Sequence, residues 1–553
     1  MNIFQRKPLE ALISESKEEG ERTLKKTLGI YQLIALGLGA IIGAGLFSIT
    51  GIAAGSHAGP AITLSFLIAA AGCGFAALCY AEFASMIPVA GSAYTYSYAT
   101  LGEFIAWVIG WDLVLEFAVS SATVSISWSR YFVILLGDFG IHLPPALTAC
   151  PWDGGLVNLP AAFIIILMSL LLIRGTESSS SVNSFIVILK LVIVIAFIVL
   201  GWKYIRPENY VPYIPKNTGT WGEFGFSGVL RAAALVFFAF LGFDAVSTAA
   251  QETKNPKRNM PIGIIGSLII CTILYILFAH VLTGVANYSA FHGQNEIAPV
   301  AIAVNHMGEV LPNGNIQPAY PWLNNAIILA ILAGYSSVIL VMLLGQSRIF
   351  YSMSRDGLLP KVFSEIHPKY RSTHKSNLLF LLLVSVFAMF VPVHVAGQLT
   401  SIGTLLAFII VSIGIMVMRK KQPDAPRAFK TPGVPAVPII GIFFCFFMMV
   451  SLPFDTWIRL VLWMLLGHDI YVFYGSRKSH LGAKKGVKLL SIIGFGIAFF
   501  LLSLTVIHHL SIDTEKMTPF SYFLLFFALF HIVFYGIRII GIKINGIRIT
   551  KKK

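Results

Sequence analysis

Long apolar runs, each near the thickness of a bilayer, follow one another along this chain with short polar joints between them. Roughly 20 apolar residues in a helix cross the hydrocarbon core. Reading for such runs predicts about 14 spans, at 28–55, 61–87, 98–136, 158–174, 182–204, 228–250, 261–286, 325–353, 376–392, 395–418, 434–452, 457–474, 487–508 and 519–539. The 98–136 run is long enough to demand tilt. The 376–418 stretch divides only at Pro392 and His394, which mark a very short turn. No joint is large enough for a soluble domain, and the longest, 287–324, has no Lys or Arg.

Basic residues fix the orientation, because Lys and Arg stay on the cytoplasmic side. With the N-terminus inside, the inner segments hold 32 of the 40 Lys and Arg, and the outer joints hold four, Lys203, Arg206, Lys216 and Lys516. Four more fall within spans: Arg130, Lys190, Arg231 and Arg459. The asymmetry predicts an even number of spans and both termini in the cytoplasm. It also accounts for the net charge of +15 without nucleic acid, since an anionic inner leaflet attracts basic joints.

Composition agrees. Of 553 residues, 56% are hydrophobic and only 12% charged, with a mean hydropathy of +0.80, far from a soluble chain. The polar N-terminal segment lacks the features of a signal peptide. Of five cysteines, Cys73, Cys79, Cys271 and Cys445 lie in apolar runs and Cys150 in an outer joint. That is neither a disulfide framework nor a metal spacing.

Span 1 contains "GAIIGAGLF", Gly39 to Phe47, with a further glycine at 37. Glycine leaves helical geometry readily, so the helix either packs very closely against another or comes apart there. Packing through Gly39-x-x-x-Gly43 is one reading. The other is an interruption, tolerated in lipid only where freed backbone groups meet a ligand, an ion or a water-filled cavity. Freed N–H groups suit a carboxylate and freed carbonyls an ammonium; an amino acid carries both. Span 6, "AALVFFAFLGFDAVSTAAQETKNPKRNMP", is a second candidate, with Gly242, Asp244, Ser247 and Thr248. It follows span 1 by five, the offset of an inverted repeat with its pocket between two interrupted helices.

Ionisable residues within spans are functional candidates. Lys190 lies about eight residues into span 5, roughly 12 Å deep. Asp244 follows the expected break and either holds the unwound segment or partners a polar group. Glu116 in span 3 either faces the cavity, meeting a cationic side chain or a proton, or anchors a hydrogen bond. Glu82, Arg231, Arg130 and Arg459 read as structural groups near membrane ends.

The stretches "GAIIGAGLF" (39–47), "YAEFASMIPVAGSAYTYSYATLGEFIAWVIGWDLVLE" (80–116), "FFAFLGFDAVSTAAQETKNPKRNMPIGI" (237–264) and "GQSRIFYSMSRDGLLP" (345–360) resemble the amino acid–polyamine–organocation (APC) superfamily, in its bacterial cationic amino acid transporter-like branch. The resemblance implies an all-α membrane protein with the leucine-transporter-type 5+5 inverted repeat, broken helices 1 and 6, and four additional C-terminal helices. It implies that Gly43, Ala44 and Gly45 receive the substrate carboxylate, and that the amine sits on carbonyls of Ile41, Phe238, Ala239 and Leu241. Relatives often carry a hydroxylated residue where this chain has Ala44, so backbone N–H groups must suffice. Phe238 is the expected gate. Tyr335 lines the side-chain end of the pocket in similar proteins and favours small or medium neutral substrates. Lys190 takes the place of a sodium ion in relatives, which makes it the proton-coupling candidate; a fixed cation bonded to span 1 carbonyls is its alternative.

No phosphate loop, metalloprotease motif, Cys-x-x-Cys or nucleophile elbow occurs, and no filter motif of a channel. The expectation is a transporter and not an enzyme, without cofactor or metal, whose partners are an L-amino acid, a proton and the lipid bilayer, with no nucleic acid and no protein partner. Proton-coupled uptake across the plasma membrane leads. A carrier or exchanger of cationic amino acids or polyamines, with Glu116 meeting the charge, is the alternative; a non-transporting amino acid sensor is a second. The expected divisions are a cytoplasmic tail 1–27, a first repeat 28–205, an extracellular connection 206–227, a second repeat 228–418, four further spans over 419–539 and a basic tail 540–553.

Overall fold

The computed structural model describes residues 4–17, 23–43, 45–292, 299–310, 316–450, 452, 454–481, 487–511 and 519–550. The fold is helical apart from one small hairpin. The helices are α1 (Leu9–Lys17), α2 (Ile30–Ile41), α3 (Thr50–Ala53), α4 (Ile62–Met86), α5 (Ala93–Thr100), α6 (Glu103–Asp138), α7 (Leu159–Ile173), α8 (Thr176–Trp202), α9 (Gly225–Val236) and α10 (Ala245–Thr248). They continue as α11 (Pro256–Val285), α12 (Pro299–Asn305), α13 (Pro321–Arg355), α14 (His374–Phe390), α15 (Val393–Lys421), α16 (Ala436–Val450), α17 (Phe454–Ile470), α18 (Ser476–Lys478), α19 (Val487–Ser511) and α20 (Pro519–Thr550). Strands β1 (Gly308–Val310) and β2 (Ile316–Pro318) pair antiparallel in the long joint before α13.

Among the described residues, ten helical segments are long and apolar enough to cross a membrane, and four shorter helices, α2, α7, α14 and α16, are apolar as well. Their ends follow local chemistry. The Asn158 side chain accepts from the Ala161 N–H at 3.1 Å to cap α7. Proline occupies the first helical position of α11 and α13, where its missing N–H costs nothing. Pro392 separates α14 from α15.

Two expectations are corrected. The run predicted over 98–136 holds one long span, as expected, but begins too early for it, the helix being Glu103–Asp138. Its first residues belong to α5, and Gly102, at φ +105°, turns the chain into α6. That conformation favours glycine, and a side chain there would also strike the Phe4 carbonyl. Arg348, one of the 32 basic residues assigned above to the inner segments, lies inside α13 and is buried.

The core gathers around α6, which packs along α13, α15 and α7, while α4 lies against α11 and α9. Helix α16 packs on α15 and α4, and the helices after it are attached to this core through α17. Trp107, Trp111 and Trp463 stack in series, with centroids 5.8 and 4.5 Å apart. Trp111 Nε1 donates to the Trp463 carbonyl and Trp463 Nε1 to the Trp111 carbonyl, both at 3.0 Å, and Trp107 Nε1 donates to Gly467 at 2.9 Å. Each indole thus buries its ring and satisfies its one donor. Helices α19 and α20 share a smaller core with α17, built on Leu465, Leu501 and Leu524.

Candidate functional site

Both candidate helices are interrupted. In the first, α2 stops at Ile41, Ile42 is extended at φ −78° and ψ 101°, and a wider helical turn resumes over Gly45–Ile49. In the second, α9 tightens over Phe237–Phe240, Leu241 is extended at φ −61° and ψ 139°, Gly242 takes φ +110°, and α10 begins at Ala245. The Gly242 angle excludes other residues at low cost, and a Cβ there would also lie 2.8 Å from Ala40 of the first interrupted helix.

The glycines of the opening motif divide between two jobs. Gly37 and Gly39 let α2 approach its neighbours: a Cβ on Gly39 would meet Asn183 of α8 at 2.6 Å, and one on Gly37 would strike Ser267 of α11. Gly43 faces Val338, 2.9 Å from where its Cβ would stand, and Gly45 lies directly against Ala239 of the second interruption. The two breaks therefore touch. In the resuming helix the Leu46 and Phe47 N–H groups donate to the Gly43 carbonyl at 3.2 and 3.3 Å, so the N–H groups left for a ligand are the ones before Leu46. Ala44 lies outside the described residues.

The freed carbonyls have named donors. Lys190 Nζ on α8 donates to the Gly39 carbonyl at 3.1 Å, the Ile42 carbonyl at 2.9 Å and Ser337 Oγ at 2.9 Å. Ser337 Oγ in turn lies 2.9 Å from the Gly39 carbonyl. The ammonium is wholly buried and uses all three protons. Tyr275 of α11, which sequence reading passed over, places one hydroxyl 2.8 Å from the Ile41 carbonyl and 2.9 Å from the Ala239 carbonyl. It ties the two interruptions together. The Phe238 carbonyl accepts from Leu241 N–H at 3.3 Å. Gly39 spends both lone pairs on Lys190 and Ser337, whereas the Ile41, Ala239 and Phe238 oxygens each have one of these donors and keep a second lone pair. The Phe238 side chain is only partly buried, unlike its neighbours Phe237 and Phe240.

Tyr335 is buried on α13, 3.3 Å from Ser48 Oγ and edge-on to the Tyr131 ring at 5.9 Å. Glu116 stands apart from the first break and on the side of the second, where Asp244 lies. Gln346, eight residues beyond Val338 on α13, donates to the Val114 carbonyl at 3.1 Å, so Glu116 sits roughly 10 Å along the bundle from the Gly43–Val338 contact. It bonds Thr404 and feels the charges of Asp244 and Asp112. The Asp244 carboxylate lies by the backbone of its own turn, at Gly242, Asp244 and Ala245, with no hydrogen-bond partner for either oxygen among the described residues. Asp112, a further acid that sequence reading did not single out, is buried against Gly403, with no hydrogen-bond partner for either oxygen among the described residues.

Beyond the breaks the bundle is closed on the side of the N-terminal segment. Leu28 pairs with Thr253 as a bridge, and the N–H groups of Thr27 and Leu28 donate to the Glu252 carbonyl at 2.9 and 3.0 Å. The Glu252 carboxylate is ion-paired with Arg348, both buried. Leu9 and Leu12 of α1 are buried. Lys7 Nζ bridges Asp356 at 2.5 Å and Glu15 at 2.6 Å, and Asp356 also accepts from Tyr94 at 2.6 Å. Burial acts to lower the Lys7 pKa, but the charges of Asp356 and Glu15 outweigh it and hold the ammonium above its ordinary value. Glu82, at the end of α4, takes Arg419 in a fork at 2.7 and 3.1 Å, Arg427 at 3.1 Å and the Thr431 N–H at 2.7 Å.

A family model described as amino acid permease matches residues 28–467, which include both interruptions. The chain is 44% identical over 484 residues to the branched-chain amino acid permease BcaP of Bacillus subtilis, covering 87% of this chain and 99% of that protein. It is 41% identical over 482 residues to the methylthioribose transporter of the same organism, with the same coverage of each. To the vacuolar cationic amino acid transporter 4 of Arabidopsis thaliana it is 36% identical over 411 residues, covering 74% of this chain and 66% of that protein.

Proposed function

The chain belongs to the amino acid permease family, within the APC superfamily, and we propose that it takes up neutral aliphatic L-amino acids of small to medium size by proton-coupled symport. It is a multi-pass membrane protein and a transporter, not an enzyme. The observation that carries the reading is the contact of two interrupted helices at Gly45 and Ala239, cross-linked by Tyr275 and held from behind by Lys190. The substrate carboxylate meets the backbone N–H groups of Gly43, Ala44 and Gly45. The amine meets the spare lone pairs around Ile41, Phe238, Ala239 and Leu241. Phe238 closes over the side chain, and Tyr335 limits its length. The name of the Bacillus relative, a branched-chain permease at 44% identity, supports an aliphatic substrate.

Lys190 is the coupling residue in this reading. With its proton, it holds the carbonyls of Gly39 and Ile42 and orders the first break; without it, two of those bonds lose their charge assistance and the break loosens. Uptake then follows alternating access. The bundle opens toward the cytoplasm only when the closure formed by Lys7, Asp356, Glu252 and Arg348 parts. The chain crosses the plasma membrane 14 times with both termini inside, as 5+5 inverted repeats over 28–205 and 228–418 followed by four further spans over 419–539.

A second reading is a carrier of cationic amino acids or polyamines. It is favoured by three carboxylate oxygens without a hydrogen-bond partner among the described residues, both of Asp112 and one of Glu116, and by the cationic transporter among the relatives. Against it stands the distance of Glu116 from the first break. Uptake of labelled leucine, lysine, putrescine and methylthioribose into proteoliposomes under an inward proton gradient separates these readings. Accumulation of leucine that collapses with the gradient is expected; accumulation of only lysine or putrescine overturns the neutral assignment. Lys190→Ala is expected to lose the pH dependence of uptake, and a variant that keeps the wild-type pH profile overturns the coupling role.

A further inference from the structure

Arg231 lies two turns into α9, at the end of the bundle opposite the N-terminal segment, where the Phe224 N–H donates to the His57 carbonyl at 2.9 Å. Sequence reading treats it as a structural group. Among the described residues, however, no carboxylate pairs with it and no acceptor bonds it, although Glu223 is nearby in sequence and takes the Thr218 hydroxyl instead at 2.8 Å. The charged or titratable group whose field it reaches is His57, whose ring is bonded to the Gly222 carbonyl at 2.8 Å. Arg231 is an exposed residue, with its side chain passing Gly222. It stands with exposed Trp221 at the rim of a groove of about 190 Å³ between α9 and α16, lined by Ala234, Leu235, Phe447 and Met448.

An arginine within a span needs an anion or water at its tip, and its stem can cover apolar surface while the head reaches the headgroup level. Tryptophan prefers that same level. A planar guanidinium binds phosphate through two parallel N–H bonds. The groove is apolar, open to one side and wide enough for a stretch of one acyl chain but not for another helix. We propose that this groove is a binding site for an anionic phospholipid of the phosphatidylglycerol type. Its phosphate rests on Arg231 and one acyl chain lies between α9 and α16. A zwitterionic headgroup would bring its own ammonium beside the arginine and His57, so the site discriminates by charge. Because α9 leads straight into the second interruption, the lipid braces the segment that carries Phe238.

Native mass spectrometry of the detergent-purified full chain, with stepwise delipidation and titration of phosphatidylglycerol against phosphatidylcholine, tests this. The wild type is expected to retain one phosphatidylglycerol after bulk lipid is removed. Its apparent affinity should exceed that for phosphatidylcholine by tenfold or more, and inorganic phosphate should not displace the lipid. Arg231→Gln is expected to lose that preference, Arg231→Lys to keep part of it, and Ala234→Trp, which fills the groove and leaves the charge, to lose retention of both lipids. Equal retention of the two lipids by the wild type overturns the proposal, as does full displacement by inorganic phosphate or unchanged preference in Arg231→Gln. The wild-type titration alone decides the matter should a variant fail to fold.

Discussion

Replacing Tyr275 with phenylalanine removes one oxygen atom and leaves the ring in place. That ring packs against Phe66 at 5.3 Å and Phe240 at 5.2 Å, so no cavity larger than a hydroxyl opens. What disappears is the one hydroxyl proton shared between the Ile41 and Ala239 carbonyls, at 2.8 and 2.9 Å. Leaving a buried acceptor without its donor costs about 1–3 kcal/mol, so the variant should lose about 2 kcal/mol. With an unfolding entropy of about 2.1 cal/mol/K per residue, a cooperative unit the size of the whole chain would melt roughly 2 °C lower. The functional effect should be larger than this small shift suggests, because the hydroxyl is the direct bond between the two interruptions. If both breaks must move as one unit to hold a substrate, about 2 kcal/mol released from their linkage corresponds to a roughly 30-fold change in the population of the paired arrangement. Uptake should fall, with a raised half-saturating concentration. The assays are thermal melting in detergent and initial-rate leucine uptake in proteoliposomes at matched protein density. Tyr275→Leu, which also loses the ring contacts, should be worse in both. A Tyr275→Phe protein that melts lower but transports with wild-type kinetics would show that the bond is structural only and that the breaks work independently. One that is unchanged in both would remove Tyr275 from the site.

Three further outcomes follow from the same geometry. Gly45→Val should abolish uptake while the protein still reaches the membrane, since its side chain would be driven into Ala239; normal uptake by this variant would mean that the two breaks do not need to touch. Glu82→Gln should destabilise the chain by about 3 kcal/mol, because two arginines lose their common carboxylate at a buried site, seen as a lower melting temperature and faster proteolysis between residues 422 and 433. Lys7→Met should open the tail-side closure, so that a cysteine placed at Ser352, buried beneath it, reacts faster with a maleimide than in the wild-type background, where all five native thiols are buried. The Lys7 pKa is held above its ordinary value of 10.5, so the ammonium's contribution is fully present below that pH and is lost only as pH rises through the higher folded value; titration of Lys7 therefore predicts that the ratio of Lys7→Met to wild-type labelling stays constant between about pH 6 and 9, while both rates rise with the thiolate fraction.

Much of this architecture could be read from residues close together in the chain, and what could not be read has a common cause. Apolar runs are local, and a helix occupies each of those marked in the sequence. The interruption near Gly242 was legible because a glycine, an acid and two hydroxyls fall within two turns, a combination that lipid tolerates only beside polar company. Lys190 stood out because a cation deep in "SFIVILKLVIVIAFI" has no cheap explanation. Its partners did not stand out, because carbonyls carry no sequence signal. Tyr275 was hidden for the same reason: inside "CTILYILFAH" it is one more large residue among others, and its importance lies in two carbonyls 234 and 36 residues away. The ion pair of Glu252 with Arg348 and the bridge from Lys7 to Asp356 are likewise long-range, with neither partner unusual in its own neighbourhood.

The opening motif shows how two readings that compete on paper can coexist on one helix. Close packing and helix breaking both call for glycine, and Gly39-x-x-x-Gly43 fits either. The structure assigns them by position: Gly37 and Gly39 serve approach to α11 and α8, while Gly45 serves approach to the other break. These are linked physically. A helix that ends in mid-membrane needs donors for its last carbonyls, and donors on α8 and α11 reach them only if α2 lies unusually close to both. Asn183, against which Gly39 packs, donates to the Ala35 carbonyl at 3.1 Å, and seven residues further along α8 Lys190 reaches the carbonyls of Gly39 and Ile42. Tyr275 stands eight residues beyond Ser267 on α11 and reaches Ile41. The small residues upstream therefore bring in the polar side chains that make the break tolerable downstream. A larger residue at Gly39 should act at a distance: Gly39→Leu is expected to push α8 away, withdraw Lys190 from its carbonyls and lower uptake, although position 39 itself lies a full turn before the expected carboxylate site. If Gly39→Leu transports normally with an unchanged pH profile, the close approach of α2 and α8 is not what holds the lysine in place.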